Sequence, residues 1–269
     1  MLRIIKLLFL YLAYQLAFYA VSTGVYMIVE NGSLDVTALN DSSTSMSVII
    51  ASQFLATLAI AIHVLAGKYV RISDLKLKSD KPFGLLLMSA VFILGMAMWT
   101  NYLSELAGLP DNMQQVFSEM MENPLGIISI VVMAPVVEEL LFRGAIQGYL
   151  MRRYNRPYLG IVISSLIFGV IHANPAQIPF AVILGMALGW MYYVTGSLVP
   201  GIFMHFINNG SAVLLSCIYD SPDATMIMSF GNIGAACLAA LGVVISVFSV
   251  VFIRKKLVQE LPLWNDAQS

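Results

Sequence analysis

The sequence predicts an all-α, polytopic transmembrane bundle of about eight spans. Three observations point there. Hydrophobic residues make up 59% of the chain and charged residues 11%, against about 25% charged in a soluble domain. The mean hydropathy is +0.84. The apolar residues gather into runs close to the ~20 residues that a bilayer crossing needs.

The first run, Leu7–Val29, follows Arg3 and Lys6. It exceeds the roughly 7–15 apolar residues of a cleaved signal, and no small-x-small site follows, so it reads as a retained span. Met46–Leu65 and Phe83–Leu103 are the second and third spans, and Leu125–Leu150 is the fourth. Pro157–His172 and Ile178–Val194, both short, are the fifth and sixth. Leu198–Ile218 and the long Met226–Ile253 complete the set. Between the third and fourth, Asn101 to Asn123 mixes Leu, Met, Val and Phe with acidic residues and reads as an amphipathic helix on the outer surface. Asp41 to Ser45 reads as a polar external loop, and the small residues around Gly231, Ala235 and Ala239 as a helix-packing face.

Charge orients the bundle. With the N-terminus inside, all 14 Lys and Arg fall in or beside inner segments: Arg3 and Lys6, then Lys68 to Lys81, then Arg143 to Arg156, then Arg254 to Lys256. The outer loops hold Glu30, Asp35, Asp41, Glu105, Asp111, Glu119, Glu122, Asp220 and Asp223, with no basic residue. The positive-inside rule therefore predicts both termini in the cytoplasm and a cell inner-membrane location. Residues 1–124 form three spans and the outer segment. Residues 125–218 form the core that carries chemistry, and residues 219–269 the last span and a tail. No basic run is interleaved with aromatics, so no nucleic-acid partner is expected. Cys217 and Cys237 have no metal-type spacing and read as small packing residues.

The fourth span is the informative one. Glu138 and Glu139 lie side by side within it, and a carboxylate at the bilayer centre costs about 2.5–3.5 kcal/mol on insertion scales. Glu139 and Arg143 are i,i+4 neighbours and pair along one face. Glu138 points about 100° away and has no counter-ion in its own helix, which leaves it for proton transfer. Phe168 and His172 share one face of the fifth span, and His205 and Asn209 one face of the seventh. A carboxylate, two imidazoles and an amide can activate water and stabilise an oxyanion. Glu138, His172 and His205 can alternatively hold zinc with a water in the fourth position. Ser164, Ser165 and Ser211 read as packing hydroxyls. Gln147, Asn208 and the interior His63 read as structural polar contacts, and Asn174 as a residue that could line the mouth of the site.

The motifs EExxxR (Glu138, Glu139, Arg143), FxxxH (Phe168, His172) and HxxxN (His205, Asn209), in this order on separate apolar segments, resemble those of a known family. It is the CAAX protease and bacteriocin-processing family of intramembrane endopeptidases, which includes the type II CAAX prenyl endopeptidases. The resemblance implies hydrolysis of a peptide bond in a membrane-associated peptide or protein. It implies that Glu138 and His172 activate water, that His205 and Asn209 stabilise the tetrahedral intermediate, and that Glu139 and Arg143 hold the geometry, with Phe168 packing against the site. It leaves zinc dependence open. Partners are then the lipid bilayer and the substrate. Two other classes share the polar residues. A non-catalytic scaffold or bacteriocin-immunity factor would keep them as a structural network. A small transporter would use them as a proton relay but calls for repeat symmetry, which the chain lacks. The position of His172 at a span end predicts that Ala173 to Pro179 dips into the protein, lining a cavity.

Overall fold

The computed structural model describes residues 2–31, 42–219, 225–258, 260–262 and 264, and among these there are helices and no strand. Helices α1 (Leu2–Asn31) and α2 (Ser42–Ala66) are followed by a 3₁₀ turn (Ile72–Leu75), α3 (Pro82–Ala107) and the short α4 (Gln114–Met121). The run α5 (Pro124–Tyr154) leads into α6 (Pro157–Val170), α7 (Ile178–Thr195), α8 (Val199–Tyr219) and α9 (Met226–Phe252). The protein is a polytopic helical bundle.

Among the described residues, seven helices are long and apolar enough to cross a membrane: α1, α2, α3, α5, α7, α8 and α9. The expected fifth span is α6, with 14 residues. At ~1.5 Å per residue it covers roughly 21 Å, less than the ~30 Å hydrocarbon core. It stops because His172 and Ala173 tighten into i→i+3 bonds to Gly169 and Val170, and Ala173 turns left-handed at φ 51°.

Local chemistry sets the other ends. Pro82, Pro124 and Pro157 open α3, α5 and α6, where a missing N–H costs nothing. Gly108 and Gly196 follow α3 and α7 at φ 55° and 62°, the left-handed cap that glycine adopts without strain.

Several expectations change. Ser42 to Ser45 belong to α2 rather than to a loop, and Asp35, Asp41, Asp220 and Asp223 lie outside the described residues. The outer segment is not one helix. Residues 101–107 continue α3, and only Gln114–Met121 forms a separate helix. Gly231 does not pack; it kinks α9 at φ 67°, ψ 167° with open space around it. Cys217 and Cys237 are both exposed, so they do not fill the interior.

Packing divides the chain into two compact units. One is Met1–Tyr69 with Gln115–Val137; the other is Val70–Gln114 with Glu138–Ser269. In the first, α1 packs along α2, and His63 Nδ1 lies 3.2 Å from Tyr14 Oη while its ring stacks on Tyr69. In the second, the core gathers Leu85, Phe92 and Ile93 from α3 with Leu188 and Met191 from α7 and Met204 from α8. Helix α3 crosses α9 at a glycine pair. A Cβ at Gly242 would stand 2.6 Å from Gly95 O, and one at Gly95 3.1 Å from Gly242 O. In lipid, helices gain by packing rather than by leaving water, so close backbone approach matters.

The free amides at the start of α9 are closed by a distant carboxylate. Glu105, near the end of α3, accepts from Met226 N and, at 2.9 Å, from Ile227 N. Thr225 Oγ1 accepts from Met228 N at 3.1 Å. Glu105→Ala is expected to destabilise the protein by about 1–2 kcal/mol, the scale of a lost helix cap. Thermal unfolding in detergent checks this, and an unchanged midpoint would remove Glu105 from the forces holding α9.

Candidate active site

Glu138 ends a regular turn of α5, and beyond it Glu139–Gln147 widens into a π-helix. Gly148 N donates to Arg143 O, an i→i+5 bond. Such widenings concentrate at functional sites. Ser164 of α6 donates to Phe142 O at 2.8 Å, so a neighbouring helix serves one carbonyl of the widened stretch. Gln147 Nε2 donates to Gly189 O of α7 at 2.8 Å.

At the centre lies an ion pair. Arg143 Nη1 is 2.8 Å from Glu139 Oε1, and the side chains are 1% and 0% exposed. The Arg143 guanidinium carbon sits 4.3 Å from the centroid of the Phe168 ring, a cation–π contact that a desolvated setting strengthens. Phe168 also touches Phe142, His172 and His205 edge to face, with centroids 5.1, 4.9 and 5.8 Å away. One buried aromatic ring on α6 therefore touches groups from all three motifs.

His205 stands against both glutamates. Its Nδ1 is 3.2 Å from Glu139 Oε1 and its Nε2 is 3.6 Å from Glu138 Oε2. A carboxylate so placed fixes the ring's orientation. Gly201, one turn earlier on α8, makes room for this. A Cβ there would stand 3.1 Å from Glu139 Oε2. His172 Nδ1 lies 2.7 Å from Phe168 O. A carbonyl only accepts, so Nδ1 carries the proton and Nε2 keeps its lone pair. Asn209 Oδ1 accepts from Asn208 Nδ2 at 3.1 Å.

The burial pattern is graded. Glu139, Arg143, Phe168 and His205 are buried, whereas Glu138, His172 and Asn209 are half-buried. The groups that could meet water and a substrate thus surround a sealed interior. The Glu138 carboxylate meets His205. Among the described residues, no three His, Cys, Asp or Glu side chains stand as a metal-holding group. His172 and His205 both contact Phe168, and Glu138 meets His205.

Two features near the site were not legible in the motifs. The loop after His172 is held by Asn174, whose Nδ2 donates to Asp111 Oδ1 at 2.8 Å and whose Oδ1 accepts from Asn112 N at 3.2 Å. Ala176 N donates to Pro110 O. Asn174 is fully buried, so this loop is pinned inside the fold rather than free. The expected inward dip of Ala173 to Pro179 holds at Asn174, whereas Ala173 is exposed; the partners of Asn174 were not foreseeable. The second feature is Asp74, which is 4% exposed. It accepts from Tyr192 Oη at 2.8 Å and lies 3.7 Å from Arg152 Nη1 and 3.6 Å from Lys78 Nζ. Its backbone carbonyl receives Leu198 N at 2.7 Å, which fixes the entry to α8. No local signal marks Asp74, because Tyr192 is 118 residues away.

Residues 121–211 match the model of one protein family, the Rce1-like type II CAAX prenyl endopeptidases. The chain is also 30% identical, over 105 residues, to a Bacillus subtilis (strain 168) protein named "Putative membrane peptidase YdiL". That match covers 39% of this chain and 43% of the relative, so the chain spans less than half the length of the curated relative it matches. No solved structure matches the chain.

Removing one member of a buried ion pair strands the other. Glu139→Gln is therefore expected to destabilise the protein by about 3–5 kcal/mol. Glu138→Gln leaves the Glu139–Arg143 pair intact and should shift stability by less than about 1 kcal/mol. Unfolding midpoints of the two variants check this. Equal effects would mean that Glu139–Arg143 does not hold the site together.

Proposed function

We propose that this chain, whose residues 121–211 match the Rce1-like type II CAAX prenyl endopeptidase model, is an intramembrane endopeptidase of that family. In this reading it hydrolyses a peptide bond in a membrane-associated peptide or protein. The single observation that carries it is the meeting of the three motifs on Phe168, with a partly exposed Glu138 carboxylate at the edge of a sealed ion pair. The family match and the peptidase name of the relative support the same reaction class.

The proposed steps use groups already described. Glu138 takes a proton from water, and the water oxygen attacks the scissile carbonyl carbon. His172, with its Nε2 lone pair open, orients that water. The carbonyl oxygen gains negative charge, which His205 and the Asn209 amide stabilise. Collapse of the intermediate breaks the C–N bond, and Glu138 returns its proton to the departing amine. Glu139 acts through His205 and Arg143 and does not touch the substrate. If zinc takes part, Glu138, His172 and His205 are the ligands, and the ion would supply an activated water. The basic segments support a reading with both termini on the cytoplasmic side of a cell inner membrane. The description of the matching family, type II CAAX prenyl endopeptidase, makes a prenylated CAAX motif one candidate substrate class.

Purified protein should be incubated with membrane-tethered peptides, comparing wild type with Glu138→Gln, each with and without a zinc chelator. Loss of a general base slows cleavage by about 10²–10⁴-fold, and the variant should keep the wild-type unfolding midpoint. Wild-type cleavage that survives the chelator would assign water activation to the glutamate alone. Cleavage lost with chelator and restored by zinc would make His172 and His205 ligands. Full activity in Glu138→Gln would overturn the mechanism and favour a scaffold that keeps the motifs as structure.

A further inference from the structure

A cleft of about 300 Å³ lies away from the motif residues, where three helices end together. Tyr158 is the second residue of α6, Trp190 and Tyr193 belong to the last turns of α7, and Val250, Arg254 and Lys255 belong to the end of α9 and its π-helical extension. The walls are apolar and aromatic, the rim holds two cations, and no acidic residue lines it. The chain after α9 returns to close one side. Trp264 Nε1 donates to Tyr193 O at 3.1 Å, and Leu261 lines the cleft.

The two cations differ in freedom. Arg254 Nη1 donates to Val258 O at 2.7 Å, which fixes its guanidinium at the rim. Lys255 is exposed. Tyr158 and Tyr193 stand with ring centroids 5.8 Å apart, and Trp190 packs edge to face on Phe92. Tyr and Trp at the ends of spanning helices mark the boundary between headgroups and acyl chains. Arg152, Arg153 and Arg156 lie just before α6, and basic clusters beside membrane helices draw anionic lipids.

We propose that this cleft binds an anionic phospholipid, with the phosphate between Arg254 and Lys255 and the upper acyl chain against Trp190 and Val250. A free anion would use the cations but leave the aromatic wall unmatched. A zwitterionic lipid would match the wall but bring a third positive charge to a rim that already has two. The charge complementarity and the apolar wall together select a lipid with a net negative headgroup. The site is independent of the proposed catalysis, because none of its residues belongs to the three motifs.

The test uses the full chain in phosphatidylcholine nanodiscs containing either brominated phosphatidylglycerol or brominated phosphatidylcholine at the same fraction. Bromine quenches nearby tryptophan, and the difference between wild type and Trp190→Phe isolates Trp190. The expected result is several-fold stronger quenching of Trp190 by the brominated phosphatidylglycerol. Lys255→Gln should reduce that preference roughly fivefold, the effect of one interfacial cation, while helical circular dichroism stays unchanged. Equal quenching by the two lipids would overturn the proposal, as would a Trp190 that neither lipid quenches, the sign of a cleft covered by protein. The wild-type comparison decides by itself, so a Lys255→Gln protein that fails to fold does not rescue the idea.

Discussion

The Glu139–Arg143 ion pair is the constraint around which the rest of the site is arranged. Two opposite charges with almost no solvent contact are tolerable only when each is compensated by the other and by neighbouring dipoles. Here Arg143 is enclosed by Glu139 on one side and the Phe168 face on the other. Glu139 in turn holds His205 Nδ1. The pair is a device for specificity more than for stability. An apolar substitute could fill the same volume, but it could not fix an imidazole ring against a second carboxylate.

Such an arrangement demands that backbones come close, and small residues permit it. Gly201 lets α8 reach the Glu139 carboxylate, and Gly189 lets the Gln147 amide reach a backbone carbonyl of α7. Gly185 lies against Ser165, so α6 and α7 approach closely as well. The short α6 follows from the same geometry. Ending at Val170 turns His172 inward beneath Phe168, and Asn174 then anchors the loop to Asp111.

The family match covers only residues 121–211, yet the groups that stabilise this segment come from outside it. Asp111 holds the loop after His172, and Asp74 holds the entry to α8. The matched segment carries the chemistry of the proposed reaction, and residues outside it hold some of its parts in place.

The sequence by itself determined the class of fold, the approximate place of each long helix, and the two i,i+4 relationships, Glu139 with Arg143 and His205 with Asn209. These are local properties: apolar run length, proline and glycine at helix ends, and a 3.6-residue period need no distant partner. Only the tertiary structure decided which motif faces which. The pairing of Glu138 with His205, the central place of Phe168, and the partners of Asn174 and Asp74 depend on contacts between distant parts of the chain. The crossing of α3 on α9 at Gly95 and Gly242 belongs to the same class, because a glycine's lack of a side chain acquires meaning only when another backbone arrives beside it.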